Sequence, residues 1–189
     1  MRPLNGSTPA RSNVRRARSI GMMAVLWLAT AYLPALAANP GTSPPVRLAV
    51  FDFELEDVSP ASALLGEKTS SAANMAKVSS AARQALAQSG RYSLVDVSKV
   101  DAKPVVDKTL RNCDGCDAAI ALRLGAQQSL VGVVRRATQT DYYVLIRIRD
   151  AQTGKILDEQ EANFAGADDG WASGARMLIK HQILAIPAN

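Results

Sequence analysis

The chain predicts a single α/β domain built on a five-stranded mixed sheet with helices packed on it. Three patterns carry that expectation. An apolar run of strand length surrounds position 50, two segments with helical periodicity follow it, and three strand-like segments come in succession before a last helix. The expected order is β-α-β-α-β-β-β-α.

Each element has its own warrant. Val46 to Phe53 is nearly continuous in apolar residues, as a strand covered on both faces would be. Glu54 to Gly66 is polar and broken by Ser59-Pro60, and reads as a loop. In Ser70 to Ser89, Met75, Val78, Ala82 and Leu86 recur at spacings of three and four, while Lys77, Arg83 and Gln88 fall off that stripe. This predicts an amphipathic helix, closed by Gly90. Tyr92 to Val97 is the second strand. Val100 to Asn112 reads as partly helical, with Pro104 near its start. Ala118, Ile120, Ala121 and Leu124 make the apolar face of a helix over Asp117 to Leu124, ended by Gly125.

Gln128 to Arg136 reads as the third strand. In the fourth, Tyr142, Val144, Ile146 and Ile148 alternate with Tyr143, Leu145, Arg147 and Arg149, so one face is apolar and the other ends in charge. Asp150 to Gly154 has turn composition. Asp158, Glu159 and Glu161 mark the fifth strand, Lys155 to Phe164, as partly exposed. Trp171, Ala175, Leu178 and Ile179 form the buried stripe of a helix over Asp168 to Ile186. Helical crossovers favour parallel pairing of the first strands, and short turns favour an antiparallel meander at the end.

The first 37 residues read as a signal peptide. Arg2, Arg11, Arg15, Arg16 and Arg18 stand in a stretch without an acid, the apolar run Ile20 to Leu33 follows, and Ala35 and Ala37 offer small residues for cleavage. That run is shorter than the ~20 residues of a membrane span. Arg15-Arg16 could serve a twin-arginine route, but Ala17-Arg18-Ser19 lacks its apolar pair, so the general secretory route is the default. Without a Cys near the cut, lipid attachment there is excluded. Residues 38–45, rich in Pro and Gly, read as a flexible leader, and 46–189 as the domain.

Processing also removes the charge. The chain has 22 basic and 17 acidic residues, and five arginines leave with the signal peptide, so 22 − 5 = 17 of each remain. A balanced mature chain does not suit nucleic acid, whose phosphates demand clustered cations. Nor does it carry an apolar run long enough for stable membrane insertion after cleavage.

Cys113-x-x-Cys116 is the strongest chemical feature. In an exported chain two cysteines pair readily. The helix expected from Asp117 could activate a thiol, whereas Asp114 and Asp117 would oppose a thiolate. A structural disulfide leads, with a redox pair and a metal site as alternatives; zinc would need two further ligands, and His181 is the only histidine. Asp52, Glu54 and Glu56 alternate near the carboxyl end of the first strand, where such sheets hold ligands, and mark a candidate ligand crevice against the simpler reading of a solvated acidic loop. Arg135, Arg136, Arg147 and Arg149 read as a salt-bridged sheet face. No nucleophile motif accompanies His181, so no catalytic residue, metal site or cofactor is expected.

Several stretches occur in an order that resembles a domain-of-unknown-function family of small exported proteobacterial proteins. They are Phe51 to Asp57, Ser89-Gly90-Arg91-Tyr92, Cys113 to Cys116, Leu124-Gly125-Ala126, Val131 to Val134, Arg149 to Gly154 and Asp169-Gly170-Trp171. More distantly, the layout is similar to the amino-terminal domain of the translocation protein TolB and to curli-export-type domains. The resemblance implies an exported, non-enzymatic periplasmic binding or assembly module with an envelope or periplasmic protein as partner. An accessory protein of a periplasmic oxidoreductase system, or a thiol-disulfide protein using Cys113 and Cys116, is the alternative.

Overall fold

The apolar run at the start of the domain does become a strand, but a broken one. In the computed structural model, which describes residues 44–60, 62, 69–98 and 109–185, β1 (Val46–Val50) is followed by β2 (Glu54–Asp57). Both lie parallel to β4 (Gln128–Arg136): Val50 stands opposite Leu130 and Glu54 opposite Val133. Four steps along one strand match three along the other, so one extra residue is accommodated as a bulge in 51–53. The expected loop after Phe53 is thus corrected over Glu54–Asp57. The composition of those four residues is polar. Their strand state comes from residues some eighty positions away, because β4 sets Arg135 and Arg136 opposite Glu56 and Asp57.

Helix α1 (Thr69–Gln88) organises the bulge. The Phe53 N–H donates to Ser79 Oγ at 2.9 Å, and the Val50 carbonyl accepts from Arg83 at 3.0 and 3.3 Å. Backbone groups that the ladder leaves unpaired are thereby satisfied by polar side chains of the helix. Met75, Val78, Ala82 and Leu86, the predicted stripe, are all buried.

After α1 comes β3 (Tyr92–Val95), then a 3₁₀ turn at Leu110–Asn112, α2 (Cys116–Arg123), and the meander β4, β5 (Asp141–Asp150) and β6 (Ile156–Ala165). The sheet order is β3-β1-β4-β5-β6, with β2 extending β1 along β4. β1 pairs parallel with β3 and β4, and the meander is antiparallel. The predicted mixed α/β sheet is therefore present, with its first strand divided in two. The expected signal peptide, nearly all of the leader, residues 100–108 of the expected partly helical stretch and Ile186 lie outside the described residues.

The expected terminal helix has three parts: a 3₁₀ turn at Asp168–Gly170, α3 (Trp171–Leu178) and a π-helical turn at Ile179–Ile183. Plain α spacing carries the buried stripe from Ile179 to Ile183, four residues on. The Leu184 N–H bonds to the Ile179 carbonyl at 2.9 Å, an i to i+5 link that widens the last turn, and Ile183 is buried in the core. Arg91 then donates to the Ile183 carbonyl at 3.1 Å.

The core has two parts. On one sheet face, Leu48, Val50, Leu130, Val144 and Ile146 meet α1 and α3, with Trp171 and Tyr142 among them. Tyr142 Oη donates to the Gly170 carbonyl at 2.9 Å, and Gly174 gives the ring room to approach. On the other face, α2 covers only Ala49, Phe51, Val131 and their neighbours. Among the described residues, no helix is long and apolar enough to cross a membrane.

Candidate functional site

The second face at the edge of α2 and beyond it is built from three cross-strand rows. Glu56, Arg135, Tyr143 and Asn163 form the first row, and Glu54, Val133, Leu145 and Glu161 the second. Val131, Arg147 and Glu159 form the third. Because side chains alternate along a strand, these residues point away from α1 and α3. Val131 and Val133, both buried, form an apolar floor there with half-buried Leu145 beside them, and charged residues frame it. A pocket of about 90 Å³ is lined by these three residues, by Tyr143, and by Arg111, Arg135, Arg147, Glu56 and Glu161 among the charged groups.

The charges are paired across the rows. Arg135 Nε donates to Glu56 at 2.6 Å, and its Nη1 lies 3.9 Å from Glu161. The bond to Glu56 holds the Arg135 guanidinium charged by pushing its pKa further up. Arg147 donates through Nε to Glu159. The predicted salt-bridged sheet face is present, with partners that depend on register: Arg135 and Arg147 belong to this face, whereas Arg136 points to the other.

Glu54 fixes the wall that Arg111 supplies. Its carboxylate accepts the Leu110 N–H at 2.5 Å, the Arg111 N–H at 3.2 Å and Arg111 Nη1 at 3.3 Å. It thus caps the 3₁₀ turn with charge-assisted bonds. Arg111 also donates to the Leu55 carbonyl, and its Nε is buried without a hydrogen-bond partner.

The three carboxylates singled out by alternation therefore do different things. Asp52 lies in the bulge and pairs with Arg83 of α1 at 2.8 Å. Glu54 caps the turn, and Glu56 pairs with Arg135. The bulge breaks the alternation after Asp52, so only Glu54 and Glu56 remain together on the second face. Among the described residues, no group of three or more His, Cys, Asp or Glu side chains is placed to hold a metal ion.

Cys113 and Cys116 are joined in a disulfide with a Cα separation of 5.6 Å. Both pack against the second core cluster beside α2. The loop they close leads into a buried polar group. Ser129 Oγ donates to Asp117 at 2.6 Å, and Arg149 lies 3.6 Å from Asp117 and 3.8 Å from Asp114. Arg149 also donates to the Gly154 carbonyl at 2.9 Å, which ties the loop to the turn after β5. His181 is exposed in the π turn, away from these groups in sequence and element.

Sequence reasoning placed Tyr143, Leu145 and Arg147 on one face of β5 but missed the pocket. Val131 and Val133 were hidden in an apolar run with no visible period, and Arg111 stood in a stretch read as partly helical, with nothing to place it beside the sheet. The one usable signal was the residue pair Tyr143 and Leu145 on a face expected to be charged.

Residues 46–183 match the family model described as "Protein of unknown function (DUF2380)". The chain belongs to this family. No curated protein matches it. Among solved structures, this family member is similar to the LpoB C-terminal domain from Salmonella enterica, at 19% identity and TM-score 0.46, over 66% of this chain and 86% of that chain. It is similar to PelC from Paraburkholderia phytofirmans, a dodecamer, at 15% identity and TM-score 0.49, over 79% and 93%. It is also similar to TolB from Acinetobacter baumannii, at 12% identity and TM-score 0.44, over 77% of this chain and 30% of that one.

Proposed function

We propose that this chain is an exported, non-enzymatic binding or assembly module that works in the periplasm and engages an envelope or periplasmic protein through the uncovered part of its second sheet face. The observation that carries this reading is the pocket floored by buried Val131 and Val133, walled by half-buried Leu145 and framed by arginine–glutamate pairs. A sheet face in an α/β domain is ordinarily covered by a helix. An apolar recess within a polar rim is a feature by which proteins seat a partner's side chain. The basic, apolar and small-residue leader supports the compartment, and the balanced charge of the processed chain supports a protein partner over nucleic acid.

The test combines location with binding. Cells producing the full chain are fractionated and the intact mass is measured. The chain is then captured with its partners, alongside a Leu145→Asp variant. The reading predicts a periplasmic chain shortened by about 37 residues, whose captured partner is lost in the variant at an unchanged melting temperature. A full-length chain in the cytosol, or capture indifferent to Leu145, would overturn it.

A further inference from the structure

The arginines of this pocket are held in an unusual way. Arg147 is engaged by Glu159 through Nε, and among the described residues no hydrogen bond engages its two terminal nitrogens. Arg111 presents a buried Nε without a partner. The planar end of an arginine is the part that matches a carboxylate in two parallel bonds. Arg147 stands opposite Val131 across the β4–β5 ladder, one row from Val133 and Leu145. A free guanidinium fork thus adjoins an apolar surface within a pocket of about 90 Å³, room for one short aliphatic group. Three arginines and two glutamates line the pocket, and what it offers an anion is the unbonded end of Arg147 rather than a net positive charge. Glu54 and Glu159 hold Arg111 and Arg147 from outside the lining.

We propose that this pocket binds a carboxylate bearing a short aliphatic group, with the terminal nitrogens of Arg147 as its principal donors and Val131, Val133 and Leu145 against the aliphatic part. The inference rests on the binding-module reading and gives its site a ligand chemistry. Two sources present that chemistry: the carboxyl terminus of a polypeptide ending in an aliphatic residue, and a free short-chain acid. Glu161, in the same pocket, acts against the ligand's charge and limits affinity for it.

The experiment is an NMR titration of the full chain with three probes: a tetrapeptide ending in leucine with a free carboxylate, the same peptide as its amide, and 4-methylpentanoate. Both carboxylates shift the Val133 and Leu145 methyl signals and the Arg147 side-chain signal, with dissociation constants on the order of 1 mM or below. The amide binds about tenfold more weakly. A peptide that binds more tightly than the free acid identifies a chain terminus; equal binding identifies the small acid. Arg147→Gln weakens both by about tenfold, Arg147→Lys by less, and Glu161→Gln tightens both a few fold. Amide binding equal to that of the carboxylate, shifts confined to other residues, or weaker binding in Glu161→Gln would overturn the proposal. If it falls while Leu145→Asp still abolishes partner capture, the ligand chemistry is wrong and the binding module stands.

Discussion

At Gly132 an added Cβ would lie 2.3 Å from two carbons of the Phe53 ring. Phe53 is itself buried at the bulge, so the ring has little room to withdraw. Gly132→Ala is expected to cost about 1–3 kcal/mol through overpacking, read as a lowered urea midpoint at unchanged slope. Asp57 offers a second residue-scale test. Burial pushes its carboxyl up. Hydrogen bonds from the Ser59 side chain and amide, together with the Arg136 charge, outweigh that and leave it below 3.8. Its contribution to stability is then present above the unfolded value and lost as pH falls through the folded one. Ser59→Ala should flatten the acid limb of the stability curve below about pH 4, measured by urea unfolding across pH. The Arg136 guanidinium also bonds Asp168 at 2.6 Å and lies 4.8 Å from the Trp171 ring centre. None of these partnerships is readable from spacing. Arg136 joins residues 57, 71, 168 and 171, which only the folded sheet brings together.

The elements were legible where one period ran unbroken. The α1 stripe, the alternation of β5 and the turn at Asp150 needed nothing from elsewhere in the chain. Asp150 makes that turn locally, accepting bonds from the Gln152 and Thr153 amides and the Thr153 hydroxyl. Legibility failed where an element changed phase. The bulge in 51–53 and the π turn at Ile179–Ile183 each insert one residue, and a pattern read at fixed period cannot show it. β2 failed for a different reason, since its pairing with β4 outweighs its polar composition. The disulfide is the element-scale test. Its loop is short, so a Cys113→Ser/Cys116→Ser variant should lose about 2 kcal/mol by chemical denaturation. Faster hydrogen exchange should follow at the Leu110 and Arg111 amides, because the loop no longer holds that turn on Glu54. Unchanged exchange there would separate the disulfide from the pocket wall.

At the scale of the whole molecule, the sheet is covered unequally. α1 and α3 close one face, while eight residues of α2 cover part of the other and leave Val133 and Leu145 beside charged neighbours. Membership of the family accords with the resemblance read from the sequence motifs. The mixed sheet was expected from element order alone. The uneven coverage was not, because helix lengths and sheet register fix it jointly. The central claim is that the exposed part of the second face is where another protein docks. The most direct test is a photo-crosslinking amino acid at Tyr143 of the full chain, with Ser80 on the exposed side of α1 as the control. The account predicts a discrete periplasmic adduct from position 143, absent from position 80 and lost with Leu145→Asp. Equal labelling from both positions, or none from 143, would contradict it.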